Sequence, residues 1–171
     1  MRWVSWNPPA TNRVVVNVDG SSMGNPGRAG FGGLIRNYEG DWICGFAGHF
    51  GISNNIHMEL LAVLHGLKLA WSRGFRSIEC RTDRMEVLNL LKGGFNHFHL
   101  YASIIASIVD VVRRDWSVMF SHTLREGNQC ADFLAKKGAC MDANMEVFES
   151  PPPGLSNVLL ADSMRVPFPR F

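Results

Sequence analysis

The stretch RVVVNVDGSSMGNPGRAG, residues 13–30, decides the fold because it joins a strand pattern to an acidic residue and a glycine-rich segment. Four β-branched valines lead into Asp19 and Gly20, which predicts a strand that delivers a carboxylate at its end. The glycines and the Pro26-Gly27 pair that follow predict a turn-rich loop. We therefore expect an acid to stand beside a loop with little side-chain bulk.

The remaining patterns alternate between strand and helix. Apolar β-branched runs predict strands at 13–21, 31–37, 41–50, 75–83 and 116–122. Apolar residues at steps of three and four predict helices at 58–74, 84–94, 102–114 and 128–141. Short connections favour antiparallel pairing of the first strands, and connections through helices favour parallel pairing of the later ones. The expected fold is α/β, with a mixed five-stranded sheet (three antiparallel strands, then two parallel ones) flanked by helices.

Length and composition fit one domain with short extensions. The chain has 171 residues, of which 46% are hydrophobic and 19% charged, and this excludes intrinsic disorder for its body. Residues 13–141 are expected to form the domain. Residues 1–12 are expected to be an extended lead-in docked by Trp3 and Trp6. Residues 142–171, the C-terminal segment, are Pro-rich and are predicted to be extended or partly ordered.

The sequence also carries expectations about the compartment. It has no run of about eighteen apolar residues and no apolar signal-peptide core near its start. The protein is therefore expected to be intracellular, in the nucleus or the cytoplasm, with no membrane partner and no secretion. Its four cysteines have no C-x-x-C spacing, so buried free thiols are expected rather than disulfides or a zinc site.

The net charge alone does not indicate a partner. Its formal value is +2, but residues 67–109 hold six basic and three acidic side chains, whereas residues 14–66 hold two basic and four acidic ones. The basic stretch could face phosphates beside an acidic site. Ordinary scatter of surface charge explains the same distribution.

Four acidic side chains occupy positions from which they could converge. They lie at two strand ends, at the start of the long helix and one turn into the last helix: Asp19, Asp83, Glu59 and Asp132. Such positions meet at one edge of the sheet, where carboxylates repel one another unless cations such as Mg²⁺ bind between them. Two Mg²⁺ ions can activate an attacking water and stabilise the leaving oxygen of a phosphodiester. Taken singly, each acid is better explained as a solvated cap or strand-end residue.

Four motifs together resemble those of the ribonuclease H family. They are DGSSMGNPG at 19–27, MEL at 58–60, TD at 82–83 and HTLREGNQCAD at 122–132. Their order and spacing are similar to the family's over about residues 3–140, and the C-terminal segment follows more loosely. Within the family, this sequence is most similar to plant proteins related to the ribonuclease H domain of non-LTR retrotransposons.

The resemblance implies a ribonuclease H-like fold and an endonuclease that hydrolyses the RNA strand of RNA/DNA hybrids, leaving 5′-phosphate and 3′-hydroxyl ends. It implies two Mg²⁺ ions, with Mn²⁺ as a substitute, and a monomer whose partner is nucleic acid. Asp19 would bridge both ions. Glu59 and Asp83 would hold the ion on the leaving side, and Asp132 would hold the ion that activates water. His122 would lie in a mobile loop and assist proton movement or product release, unless it is an ordinary strand-end histidine.

The resemblance also assigns substrate contacts. The backbone around Gly20, Ser21 and Asn25 would lie along the minor groove of the hybrid, where 2′-hydroxyls distinguish RNA from DNA. Glycine suits this position because it allows close backbone approach. Asn54 or Asn55 would contact bases or sugars.

Two features depart from the family pattern. Arg84 follows Asp83 where the family usually has serine, so its guanidinium could compete for the metal carboxylates or bind a substrate phosphate. Residues 104–114 are mostly apolar, where some bacterial members have a basic helix, and this predicts weak, salt-dependent binding of hybrids. Asn128 is expected to cap the last helix, a structural role.

Three alternatives to an active ribonuclease stay open. A catalytically weak or inactive retroelement-derived domain would bind nucleic acid without cutting it; Arg84 mildly favours this, and the complete set of four carboxylates argues against it. A protein-interaction module would use the Pro-rich segment and exposed tryptophans. An integrase- or transposase-type nuclease shares the superfold, but GNPG at 24–27 disfavours it.

Overall fold

The computed structural model describes residues 1–24, 26–93 and 100–171. Its eight strands are, in chain order, β1 (Arg2–Val4), β2 (Val14–Gly24), β3 (Gly27–Arg36), β4 (Trp42–Ser53), β5 (Ser77–Thr82), β6 (Ser117–His122), β7 (Glu146–Phe148) and β8 (Phe168–Arg170). Six of them form one mixed sheet in the order β6-β5-β2-β3-β4-β7, and β1 pairs with β8 in a separate ribbon. Within the sheet, β2, β3 and β4 are antiparallel, whereas β2, β5 and β6 are parallel.

The described residues form five α-helices that connect or flank the strands. They are α1 (Asn55–Ser72), α2 (Met85–Leu91), α3 (Ala102–Val112), α4 (Gln129–Cys140) and α5 (Ser156–Ser163). Over the described ranges, none combines the length and the apolar character needed to cross a membrane.

Helices cover both faces of the sheet. Leu34 and Ile35 are neighbours on β3, so their side chains point to opposite faces. Ile35 belongs to the larger apolar core with residues of α1 and α3, and Leu34 belongs to a smaller one with residues of α4 and α5. The predicted α/β architecture is therefore confirmed, with the mixed sheet flanked by helices.

The sheet has one strand more than predicted. The additional strand of the sheet is β7, which pairs antiparallel with β4. It comes from the C-terminal segment, which also contains α5 and β8. The prediction that this segment is merely extended or partly ordered is wrong for these elements. Strands of three residues are too short to show an alternation pattern, and their partners lie far away along the chain. The division of the chain at residues 12 and 141 stays a prediction.

Most of the predicted loop over residues 20–30 belongs instead to two paired strands. β2 continues to Gly24 and β3 begins at Gly27, with Gly24 at φ +102, which favours glycine. Asp19 therefore lies inside a strand, opposite Gly32, and not at a strand end as predicted. Glycines lower strand propensity, but the pairing of β2 with β3 as far as Gly24 and Gly27 outweighs this preference.

Helix α4 packs directly on the backbone of β3. A Cβ added to Gly30 would lie 2.0 Å from the backbone nitrogen of Ala139, and one added to Gly32 would lie 2.5 Å from the carbonyl carbon of Leu134. Only glycine allows this approach, and no side chain separates the helix from the strand. The missing side chains thus bring α4 close to the centre of the sheet.

A buried polar network ties the C-terminal segment to the sheet. The Arg36 guanidinium donates to Asp162 on α5 at 3.0 Å and to the side-chain oxygen of Asn17 on β2 at 2.9 Å. Asn17 in turn donates to Asn128 at 3.1 Å, and Asn128 donates to the carbonyl oxygen of Val18 at 3.0 Å. Arg36 and Asp162 are both 0% exposed, so each charge depends on the other for compensation.

The N-terminal lead-in packs on this network through one of its two tryptophans. Trp6 is buried, and its ring lies 4.5 Å from the guanidinium carbon of Arg36. Trp3 is 60% exposed, so the prediction that both tryptophans dock the lead-in is wrong for Trp3. The ribbon of β1 and β8 adds a second link between the two ends of the described chain.

All four cysteines are free, as expected. Cys44, Cys80 and Cys130 are buried, and the Cys130 thiol lies 3.3 Å from Asp162. Cys140 is exposed, so the expectation of burial is wrong for this residue, which ends α4.

Replacing Asp162 by alanine is expected to lower the free energy of unfolding by about 3–5 kcal/mol, because it leaves the Arg36 charge buried without a partner. Urea unfolding followed by circular dichroism measures the change. Asp142→Ala is the control: Asp142 also pairs with an arginine, Arg28 at 3.6 Å, but its side chain is fully exposed. Equal midpoints for the two variants would contradict a structural role of the buried pair.

Candidate functional site

Three carboxylates from different elements meet at the middle of the sheet. Asp19 lies within β2, Glu59 is in the first turns of α1, and Asp83 directly follows β5. One ligand oxygen from each lies within 4.8 Å of the others. The predicted convergence of these acids is what the structure shows, although Asp19 reaches the site from inside its strand.

Gly20 makes the closeness of Asp19 and Glu59 possible. A Cβ at Gly20 would lie 2.5 Å from the backbone nitrogen of Glu59, so any other residue would push α1 away from β2. The Gly20 N–H also donates to Asp19 Oδ1 at 2.9 Å. We expected Gly20 to make room for the substrate. In the structure its missing side chain makes room for α1.

The site is electrostatically strained without a cation. Burial raises the pKa of Glu59 to about 7. Burial, and then the neighbouring Glu59, raise the pKa of Asp19 well above its ordinary value. Burial also raises the pKa of Asp83. Since the nearby acids oppose one another's ionisation, the group holds its protons to unusually high pH.

The orientation of Glu59 leaves one oxygen available to a ligand. Its Oε2 accepts a hydrogen bond from the Thr82 hydroxyl at 3.1 Å. Its Oε1 is buried and has no hydrogen-bond donor among the described residues, and the Arg84 Nε lies 3.7 Å away. A buried carboxylate oxygen without a donor, next to two further carboxylates, fits the oxygen preference of a divalent metal ion.

Asp132 faces the same cleft from α4 but stands apart from the three-carboxylate group. Its carboxylate pairs with Lys136, one turn later, at 2.9 Å. Its charge contributes to the raised pKa values of Asp19 and Asp83. The fourth predicted ligand therefore lies near the others without belonging to the closest set.

The predicted substrate contacts lie mostly in one open cleft of about 630 Å³. This cleft is lined by the predicted residues Gly20, Ser21, Asn55 and Arg84, together with Asp19, Asp83 and Asp132. Asn25, the remaining predicted contact, lies outside the described residues. Asn54 caps α1 instead, since its side-chain oxygen accepts from the backbone N–H of His57 at 2.9 Å.

Two further residues differ from one of their expected settings. His122 is the last residue of β6, the strand end predicted at 116–122, and not part of the mobile loop that the resemblance implies. Its Nε2 lies 3.2 Å from the carbonyl oxygen of Asp83. Asn128 stands at the N-cap position of α4 but makes no capping bond with its side chain. Its amide bridges to β2 instead, which offers a stronger, buried partner.

The basic stretch at 67–109 does not form a common phosphate-facing surface. Arg81 is buried and pairs with Glu79 at 2.9 Å, and Arg73 pairs with Glu149 of the C-terminal segment. Arg84 is the member of the stretch that lines the cleft. Lys68, Arg76 and Lys92, the remaining basic residues of the stretch, make no ion pair with the described residues and do not line the cleft.

Sequence reasoning missed several residues of the cleft wall. They are Ser22, Arg125, Glu126, Lys136, Arg170 and Phe171. Lys136 had a usable signal, because it follows Asp132 by four residues on a predicted helix. Arg170 and Phe171 had none, since the pairing of β8 with the N-terminal β1 brings them to the cleft.

The sheet order, the helices and the carboxylate group define a ribonuclease H-like domain. A model of the family described as "Reverse transcriptase-like" matches residues 17–138, and the chain belongs to this family. The predicted relation to ribonuclease H is thereby confirmed.

Similar proteins support the same assignment. An Arabidopsis thaliana protein named for ribonuclease H is 31% identical over 99% of this chain, and this chain spans 27% of that protein's length. This similarity agrees with the predicted plant type. Ribonuclease HI of Halobacterium salinarum is 29% identical over 76% of this chain and 66% of its own length. The crystal structure of ribonuclease H1 from the same archaeon superimposes with a TM-score of 0.69 at 27% identity, covering 74% of this chain and 96% of that one.

The raised pKa of Glu59 sets a pH dependence of stability in the metal-free protein. The unfolded chain releases this proton near the ordinary pKa of 4.5, whereas the folded protein holds it to about 7. The folded state binds more protons between these values, so stability falls as the pH rises from 4.5 to about 7. Glu59→Gln cannot ionise and is therefore expected to unfold at a higher temperature than the wild type above pH 7 in the presence of chelator.

Thermal unfolding with and without saturating divalent metal checks this expectation. Metal should raise the unfolding temperature of the wild type and have little effect on Glu59→Gln. If the variant gained as much from metal as the wild type, Glu59 would not be a ligand.

Proposed function

We propose that this domain is an endonuclease that hydrolyses the RNA strand of RNA/DNA hybrids with two Mg²⁺ ions. The observation that carries the proposal is the grouping of Asp19, Glu59 and Asp83 within 4.8 Å in a cleft that Asp132 also lines. Two relatives named ribonuclease H are similar in sequence, and ribonuclease H1 of Halobacterium salinarum shares the fold. The activity is a proposal, because the chain covers only part of the Arabidopsis relative.

Each proposed metal ion would be held by a different subset of the four carboxylates. Asp19, Glu59 and Asp83 would hold one ion, and Asp132 would hold the other together with Asp19. Mg²⁺ bound there supplies Lewis-acid stabilisation of phosphate oxygens and lowers the pKa of water. Mn²⁺ is a chemically suitable substitute, since it also takes oxygen ligands.

Neighbouring groups orient these carboxylates before any ligand arrives. The Gly20 N–H holds Asp19 Oδ1, and the Thr82 hydroxyl holds Glu59 Oε2, which leaves Asp19 Oδ2 and the buried Glu59 Oε1 as the oxygens not engaged by these bonds. Lys136 holds Asp132 in the same way. A preorganised set of charged groups loses little free energy in reorganising when substrate binds.

The substrate would lie across the cleft. Gly20, Ser21 and Asn55 form part of its wall, where backbone and side-chain groups can reach the 2′-hydroxyls of an RNA strand. In-line attack by water would leave 5′-phosphate and 3′-hydroxyl ends. We propose that the domain works as a monomer on nucleic acid inside the nucleus or cytoplasm, and that His122 assists proton movement or product release.

One observation favours a second candidate function, binding of hybrids without efficient cleavage. Arg84 Nε lies 3.7 Å from Glu59 Oε1, the oxygen best placed for a metal ion. A guanidinium there competes with the cation electrostatically. The two candidates differ in turnover and share the same substrate.

Asp19→Asn is expected to abolish cleavage of a labelled RNA/DNA hybrid in Mg²⁺ while leaving hybrid binding intact, because it removes the carboxylate shared by both proposed ions. Product formation on a denaturing gel and fluorescence anisotropy measure the two properties. Absence of cleavage by the wild type, with hybrid binding retained, would establish the second candidate instead.

Arg84→Ser is expected to lower the Mg²⁺ concentration for half-maximal cleavage by about two- to fivefold, since a partly exposed charge pair is worth about 1 kcal/mol or less. Calorimetric titration with Mg²⁺ gives an independent readout of affinity. A rise in the KM for hybrid at unchanged Mg²⁺ requirement would assign Arg84 to a substrate phosphate.

A further inference from the structure

The C-terminal segment forms part of the wall of the carboxylate cleft. β8 pairs antiparallel with β1 and brings Arg170 and Phe171 into the lining. Arg170 contacts both carboxylate oxygens of Glu126, at 3.1 and 2.8 Å, through a single nitrogen, Nη1. The Arg170 side chain lines the cleft and is 42% exposed, and its hydrogen bonds to Glu126 use Nη1 alone.

Cations stand on both sides of the acidic centre. Arg84 lines the cleft beside Glu59, and Arg125, Lys136 and Arg170 line it on the side of α4. Arg125 makes no ion pair with any side chain that the structure describes, although its charge opposes the rise in the pKa of Asp83. A strand passing over the carboxylates toward α4 would therefore meet positive charge after the acidic centre.

The cleft continues into a second cavity along α4, of about 760 Å³. The two cavities share Arg125, Glu126, Asp132 and Lys136. The second adds Lys137 on α4, and Val158 of α5 in the C-terminal segment also lines it. We name this second cavity together with Arg170 the α4 groove.

The charge of the α4 groove suits a polyanion more than a single small anion. Its cations are Arg125, Lys136, Lys137 and Arg170, and its acids are Glu126 and Asp132. Both acids are already paired, with Arg170 and Lys136. The cations are distributed along two joined cavities and do not converge on one point, which matches phosphates that repeat along a strand.

We propose that the α4 groove binds the phosphodiester backbone of a nucleic-acid strand beyond the carboxylate centre, with Arg170 of the C-terminal segment as one of its phosphate contacts. The proposal rests on the proposed function, since the strand that occupies the groove is the one that crosses the carboxylates. Arginine suits the position because its planar guanidinium can hold Glu126 with one nitrogen and a phosphate oxygen with the others.

The salt dependence of hybrid binding tests the proposal. Asp19→Asn serves as the parent, because it is expected to bind without cutting. Arg170→Gln and Lys137→Gln are introduced singly into this parent, and dissociation constants are measured by anisotropy from about 50 to 200 mM salt. Each lost phosphate contact is expected to weaken binding and to reduce the slope of log K against log salt by about 0.9.

Arg73→Gln is the matched control. Arg73, like Arg170, pairs with a carboxylate, that of Glu149, but it does not line either cavity. This variant should leave both the affinity and the salt slope of the parent unchanged. Circular dichroism checks that each variant is folded. Folding is expected because Arg73 and Arg170 are exposed and Lys137 is half-buried.

Hybrid length adds a second readout. Lys137 lines only the α4 cavity, whereas Arg170 lines the carboxylate cleft itself. Shortening the hybrid should therefore abolish the effect of Lys137→Gln before that of Arg170→Gln.

Three results would be decisive. If Arg170→Gln and Lys137→Gln both kept the salt slope of the parent on a long hybrid, the role of the groove would be overturned and the proposed function would stand. A loss of slope in Arg73→Gln equal to that in Arg170→Gln would also overturn it, as a general charge effect. A parent protein that binds no hybrid would overturn the proposed function and, with it, this inference.

Discussion

The buried ion pair between Arg36 and Asp162 is the interaction on which the rest of the arrangement depends. Neither charge reaches water, so folding of the sheet and docking of the C-terminal segment require each other. Through Asn17 and Asn128 the same network holds β2 against the start of α4. These are the elements that carry Asp19 and Asp132, so the spacing of the site depends on contacts outside it.

The carboxylate site, in contrast to the buried ion pair, destabilises the fold. Burial and mutual repulsion oppose ionisation of Asp19, Glu59 and Asp83, and the hydrogen bonds from Gly20 and Thr82 satisfy only some of their oxygens. A fold that keeps these acids together must offset this cost elsewhere, and the two apolar cores and the buried network are where such stabilisation lies. Affinity for a divalent cation follows from the same repulsion, since the cation relieves it.

Local sequence patterns predicted those strands and helices that are long enough to show a period of buried residues. The valines of β2 and the apolar stripe of α1 identify a strand and a helix because burial on one face dictates their spacing. Patterns failed where pairing outweighs propensity. Glycines at 20 and 24 indicated a loop, yet β2 runs through them because β3 pairs with it as far as Gly24. β7 and β8 are too short to show any period and exist only through their partners.

The sequence by itself determined the mixed α/β order and the identity of the four acids, because strand and helix periods and side-chain chemistry are properties of short segments. Only the tertiary structure decided how close the acids come, that Asp132 stands apart from the other three, and that Arg170 reaches the cleft. Those facts depend on the approach of α1 to Gly20 and on the pairing of β8 with β1. Each joins residues far apart along the chain, and no local period records such contacts.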